Sequence, residues 1–160
     1  MTENIDNNQV ENQERPVFRL QKMFVKDLSF ENPNAPGIFL ESGQNPKVEI
    51  NLQVKNQKLD DDNWEVSLLI NATFKGQEDK TIFLIEIEHA GIFLLKNIPE
   101  EHLGAVLAVD CPTTLFPFTR QIMSQLAVDG GFTPFLMDPV NFMGLYQNAQ
   151  RQPQEGEATQ

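Results

Sequence analysis

The chain is expected to fold as an α+β domain, a four-stranded antiparallel sheet with C-terminal helices packed on one face. Three observations carry this. Apolar and polar residues alternate through four segments between residues 18 and 93, the period of half-buried strands. Beyond residue 99 the apolar spacing changes to three and four, the period of a helix. A sheet with one apolar face needs a cover, and helices that follow the strands can supply it.

The first strand covers residues 18–30. Phe18, Leu20, Phe24, Leu28 and Phe30 share one face, and Arg19, Gln21, Asp27, Ser29 and Glu31 the other, with Met23 and Val25 as apolar exceptions. Asn32-Pro33-Asn34-Ala35-Pro36-Gly37 and the run at 41–46 cannot continue a ladder. The connection is too long for a tight hairpin, so strands one and two need not be neighbours. In the second strand Val48, Ile50, Leu52 and Val54 alternate with Lys47, Glu49, Asn51, Gln53 and Lys55. Asp60-Asp61-Asp62-Asn63 turns the chain into a third strand bearing Trp64, Val66, Leu68, Ile70, Ala72 and Phe74. After a turn at 76–79, the fourth strand puts Phe83, Ile85 and Ile87 inward and Leu84, Glu86 and Glu88 outward.

Pro99, Glu100 and Glu101 suit the positive end of a helix that carries Leu103, Val106 and Leu107. Cys111-Pro112 is expected to interrupt it, because a residue before proline avoids the α region. Thr113 or Thr114 then caps a second helix with Pro117 in its first turn. Its stripe is Leu115, Phe118, Ile122 and Leu126, backed by Phe116, Met123 and Ala127, and Gly130-Gly131 ends it. A last helix has Asp138 as cap, Pro139 at its first position, and Phe142, Leu145, Tyr146 and Ala149.

At 160 residues one domain is expected, over 16–150. The tails at 1–15 and 151–160 are too polar to offset their ordering entropy and are expected to be disordered. Twelve Lys and Arg against 23 Asp and Glu give a net charge of −11. That surface disfavours nucleic acid and anionic lipid and favours a basic partner. The first residues lack the basic and apolar regions of a secretory leader, and no apolar run approaches the roughly 20 residues that span a bilayer, so a cytoplasmic protein without membrane insertion is expected.

No phosphate-loop, dinucleotide or zinc-helix motif is present, so no cofactor, metal or catalytic residue is expected. Cys111 with His89 or His102 can be drawn as a thiol and its base, or as a small buried residue beside unrelated histidines. His89 with Glu86 or Glu88 can be drawn as metal ligands, or as charges on a surface strand. Two features point to binding. Phe39, Phe132 and Phe135 fall in connections, where they line an apolar groove or pack the loops down. Asp27, Glu31, Glu86 and Glu88 surround Leu84 in one negative patch if strands one and four are adjacent; otherwise they are solvated surface.

Longer stretches are more specific. They are Lys26-Asp-Leu-Ser-Phe-Glu-Asn-Pro-Asn-Ala-Pro36, Glu88-His-Ala-Gly-Ile-Phe93, Cys111-Pro-Thr-Thr-Leu-Phe-Pro-Phe-Thr-Arg120, Gly130-Gly-Phe132 and Pro139-Val-Asn-Phe142. In this order, across 17–150, the chain resembles the SecB family of cytoplasmic protein-export chaperones. The resemblance implies a chaperone that binds unfolded precursor proteins without nucleotide or metal and delivers them to the SecA motor. It implies a homotetramer, a dimer of dimers, with strand one beside strand four. SecA contacts fall on Asp27, Glu31, Leu84 and Glu86. The client groove falls on Val48, Ile50 and Leu52, with Phe39, Leu136, Phe142 and Leu145 nearby.

The chain departs from the family pattern in lacking a Trp at 41–46, in Phe118-Thr-Arg-Gln121 and in Met143-Gly144. The rival readings are an acidic scaffold that binds folded partners, a SecB-like chaperone serving a toxin–antitoxin system, and a thiol enzyme.

Overall fold

The computed structural model describes residues 15–43 and 45–157, the stretch from 152 onward by backbone alone. The alternating segments form β1 (Val17–Glu31), β2 (Lys47–Lys58), β3 (Asn63–Lys75) and β4 (Thr81–Lys96). All neighbours are antiparallel in the order β1-β4-β3-β2. The Pro- and Gly-rich connection, which contains a short 3-10 turn at Gly37–Leu40, therefore carries the chain from one sheet edge to the other. Asn34 Nδ2 pins it by donating to the Thr81 carbonyl at 2.6 Å.

Strand β1 corrects the even–odd reading. Its ladder with β4 shifts between Leu20 and Lys22 and again between Val25 and Asp27. Each extra residue reverses the side-chain alternation. Met23, paired with Gly91, thus turns to the core with Leu20, and the second bulge returns Phe30 to that side. Phe24, expected inside, pairs with Ala90 and shares the outer face with it.

The helices differ from expectation in two places. Helix α1 (Glu100–Ala105) does not break at Cys111-Pro112 but runs through a π turn at Val106–Asp110 into α2 (Cys111–Asp129). The Cys111 N–H bonds five residues back, to the Val106 carbonyl. This wider turn makes room for a proline ring that would clash with a carbonyl in regular α geometry. Thr113 and Thr114 are consequently not caps; their hydroxyls donate to the Val109 and Asp110 carbonyls one turn back. Pro117 lies within α2. The last helix, α3 (Phe142–Glu157), starts after the expected Asp138-Pro139. Asn141 is its cap, since its Oδ1 accepts the Gly144 N–H at 3.1 Å.

The core lies between the inner sheet face and α2. Leu68, Ile70, Ile85 and Phe93 from the sheet meet Cys111, Leu115, Met123 and Ala127, all fully or nearly fully buried. Helix α2 is rotated relative to the expected stripe. Thr119 and Met123 face the sheet, Ile122 and Leu126 are half-buried, and Phe118 is exposed. The expected N-terminal tail lies outside the described residues except for Arg15. At the other end the α3 backbone continues as helix past residue 151 to Glu157, where a tail was expected.

Candidate functional site

Two surfaces stand out, on opposite faces of the sheet. The first is a groove of about 520 Å³ where the crossover connection meets the link between α2 and α3. Its floor is a run of phenylalanines. Phe135 meets Phe74 edge-on at 4.7 Å, Phe74 stacks on Phe83 at 4.0 Å, and Phe83 stacks on Phe132 at 4.4 Å. Phe39 closes the run at 5.2 Å from Phe132 and is still 48% exposed. Val48, at the start of edge strand β2, forms one wall.

Local sequence builds this groove. Gly130-Gly131 lets the chain leave α2 close beneath two rings. A methyl at Gly130 would lie 2.2 Å from Phe30 Cζ, and one at Gly131 2.9 Å from Phe39 Cζ. Gly131 also holds φ +93°, a conformation that favours glycine. Asn32 Nδ2 ties the end of β1 to the same turn by donating to the Gly130 carbonyl at 3.1 Å.

The structure gathers only part of the expected client set here. Phe39 and Val48 line the groove, and Ile50 follows Val48 along the same face of β2, also exposed. Leu52 is half-buried against the core. Leu136 is well exposed but borders a separate depression beside Pro117 and Arg120 of α2. Leu145 is exposed on α3. Phe142 is buried, 3% exposed, with Phe116 edge-on at 6.0 Å. Sequence reasoning left Phe132 and Phe135 open between lining a groove and packing the loops down, took Phe74 and Phe83 for plain core and missed Ile82. Phe74 pairs with Phe83 and Lys75 with Thr81, so Ile82 is left over at a register shift and turns into the groove. Alternation alone does not reveal that shift.

The second surface is the outer face of β1 and β4. Glu31 pairs with Leu84, Ser29 with Glu86 and Asp27 with Glu88. Cross-strand partners share a face, so Asp27, Glu31, Leu84 and Glu86 form one patch with Glu88 at its border. Asp27, Glu31 and Glu86 are exposed, and Leu84 is half-buried among them. The adjacency on which the patch depended is thus present.

The thiol and metal readings meet different geometry. His89 is buried on the inner face, not among surface charges. Its Nδ1 lies 2.7 Å from Thr119 Oγ1, which itself donates to the Leu115 carbonyl at 3.1 Å. A hydroxyl has one proton, so the Nδ1–H of His89 must be the donor. Burial pushes the imidazole below its ordinary value. Burial, then the charge of Asp110, pushes the Cys111 thiol up to about 12, the reverse of an activated nucleophile.

Comparison with known proteins identifies the family of the chain. Residues 11–153 match the family described as SecB, preprotein translocase subunit SecB. The protein-export protein SecB of Desulfotalea psychrophila is 65% identical over 141 residues, which cover 88% of this chain and 90% of that protein. That of Magnetococcus marinus is 43% identical over 154 residues, 95% of this chain and 98% of that protein. Among solved structures, a SecB-like chaperone of Mycobacterium tuberculosis, in complex with a peptide from an antitoxin, superposes with a TM-score of 0.66. It covers 78% of this chain and 91% of its own at 14% identity, a likeness of fold alone. By sequence over nearly its whole length and by fold, the chain belongs to the SecB family of protein-export chaperones.

Proposed function

We propose that the chain binds unfolded precursor proteins in the phenylalanine groove, keeps them competent for export without ATP, and passes them to SecA at the acidic face. The observation that carries this is the groove itself. Stacked rings open beside an edge strand and offer a mainly apolar surface, with Thr133 as the polar side chain of its lining. Such a surface accepts many apolar segments weakly, which suits an unfolded chain of varied sequence. Preferential binding of the unfolded state then draws the client from folding by mass action.

A homotetramer, arranged as a dimer of dimers in the cytoplasm, completes the reading. Its support is the flank of α2 beside β1, where Phe118, Ile122 and Leu126 with Met23 of β1 line a largely apolar hollow of about 450 Å³. An apolar face of this kind suits burial against a second copy. Several grooves on one assembly turn weak contacts into avidity. Among the described residues no helix is long and apolar enough to cross a membrane.

The test measures how far the protein delays refolding of a slow-folding precursor. Phe39→Asp, at the rim, should weaken client retention by about tenfold and leave the melting temperature within a few degrees. Unchanged retention would place the client elsewhere. Asp27→Asn and Glu86→Gln should each weaken SecA binding by about three- to tenfold, more at low salt than at high, with client holding intact.

A further inference from the structure

The outer face holds a second feature beside the acidic patch. The bulge between Val25 and Asp27 leaves Lys26 without a partner on β4. Its side chain crosses β4 and reaches β3, where Nζ donates to Glu65 Oε1 at 2.8 Å. Small residues permit the crossing. Ala90 pairs with Ser67 there, and both are buried although they lie on the outer face. Alongside is a polar niche of about 240 Å³, bounded by Lys26 and Glu88 towards β1 and by Lys55 and Gln57 of β2.

The charges of this niche are unevenly met. Lys26 is answered by Glu65. Lys55 makes no ion pair among the described residues. Glu88 stands opposite Asp27 and so belongs to both the patch and the niche, which makes the two continuous. The face therefore runs from an acidic end at Asp27, Glu31 and Glu86 to Lys55, a cation unpaired among the described residues. Lys55 lies level with Ala90, two strand spacings and four residues along from Glu86 and three spacings and two ladder steps from Asp27, about 16 Å from either, a distance that about five residues of extended chain cover.

We propose that the niche is the other half of the docking face. The partner that lays basic side chains on the acidic patch sets an acidic side chain beside Lys55, so that it docks in one orientation. This rests on the reading that SecA binds the acidic patch. A uniformly basic partner would be repelled by Lys55 and would bind better without it. A partner carrying both signs is anchored by Lys55 and binds worse without it. The two cases differ in sign, not only in size.

Purified SecA is titrated against the full-length chain and four variants at low and high salt. Lys55→Gln should weaken binding by about threefold and Lys55→Glu by about tenfold, while Lys55→Arg stays near wild type. Lys55 is exposed, and gel filtration and client holding check that the assembly is intact. Unchanged or tighter binding by Lys55→Glu, with Asp27→Asn still weakened, overturns the proposal and leaves the acidic patch as the whole dock. If Asp27→Asn is also without effect, the motor docks elsewhere and the proposal falls with that reading.

Discussion

His89 shows how one buried polar side chain makes the joint between sheet and helix depend on pH. Its strand neighbours on the inner face are Val25 and Leu68, and its polar contact is Thr119 of α2. The folded chain holds the ring neutral, whereas the unfolded chain takes up a proton near the ordinary value of 6.5. Below that pH the unfolded state binds more protons, so stability falls as the solution is acidified towards the lower folded value. His89→Gln keeps an N–H donor and does not titrate. Urea unfolding at pH 7.5 and 5.5 should show a smaller loss for this variant than for wild type. Gly130 is a second single-residue constraint. Its methyl would sit 2.2 Å from Phe30 Cζ, so Gly130→Ala should cost about 1–3 kcal/mol in unfolding experiments and shift the groove floor.

Among the elements, β2, β3 and β4 follow the sequence because each keeps an almost unbroken alternation on a sheet with one buried face. Strand β1 does not, and the reason lies in its two bulges. Met23 and Val25, read as exceptions, are the signs of reversed alternation, but sequence does not show which residue is the extra one. Helix α2 misleads differently. Phe118, Ile122 and Leu126 outweigh Thr119 in apolarity, yet Thr119 faces the sheet because His89 needs its hydroxyl. The acidic patch was legible because it needed only strand adjacency. The groove was legible in its loop phenylalanines but not in Ile82, whose position depends on a register shift. The apolar flank of α2 beside β1 carries its own expectation. Ile122→Glu should dissociate the assembly in sedimentation experiments while circular dichroism retains the helix and sheet signals.

Across the whole molecule the two faces of one sheet divide the work: aromatic burial near the helices, charge on the outside. A net charge of −11 would multiply with each copy of the proposed tetramer, so its association would have to come from apolar area and not from attraction between like surfaces. Light scattering at micromolar concentration should give about four chains' mass, with little change between low and high salt. Salt should instead weaken the motor complex. The single cysteine has a further consequence. Cys111 is fully buried under the sheet, and burial raises its thiol to about 12, so the closed protein offers scarcely any thiolate near pH 7. An alkylating reagent therefore reacts only when α2 lifts from the sheet, and each chain can record that event once. The protein carries its own clock for internal opening, and the labelling rate, read by mass with and without a bound client, shows whether holding a client opens the holder.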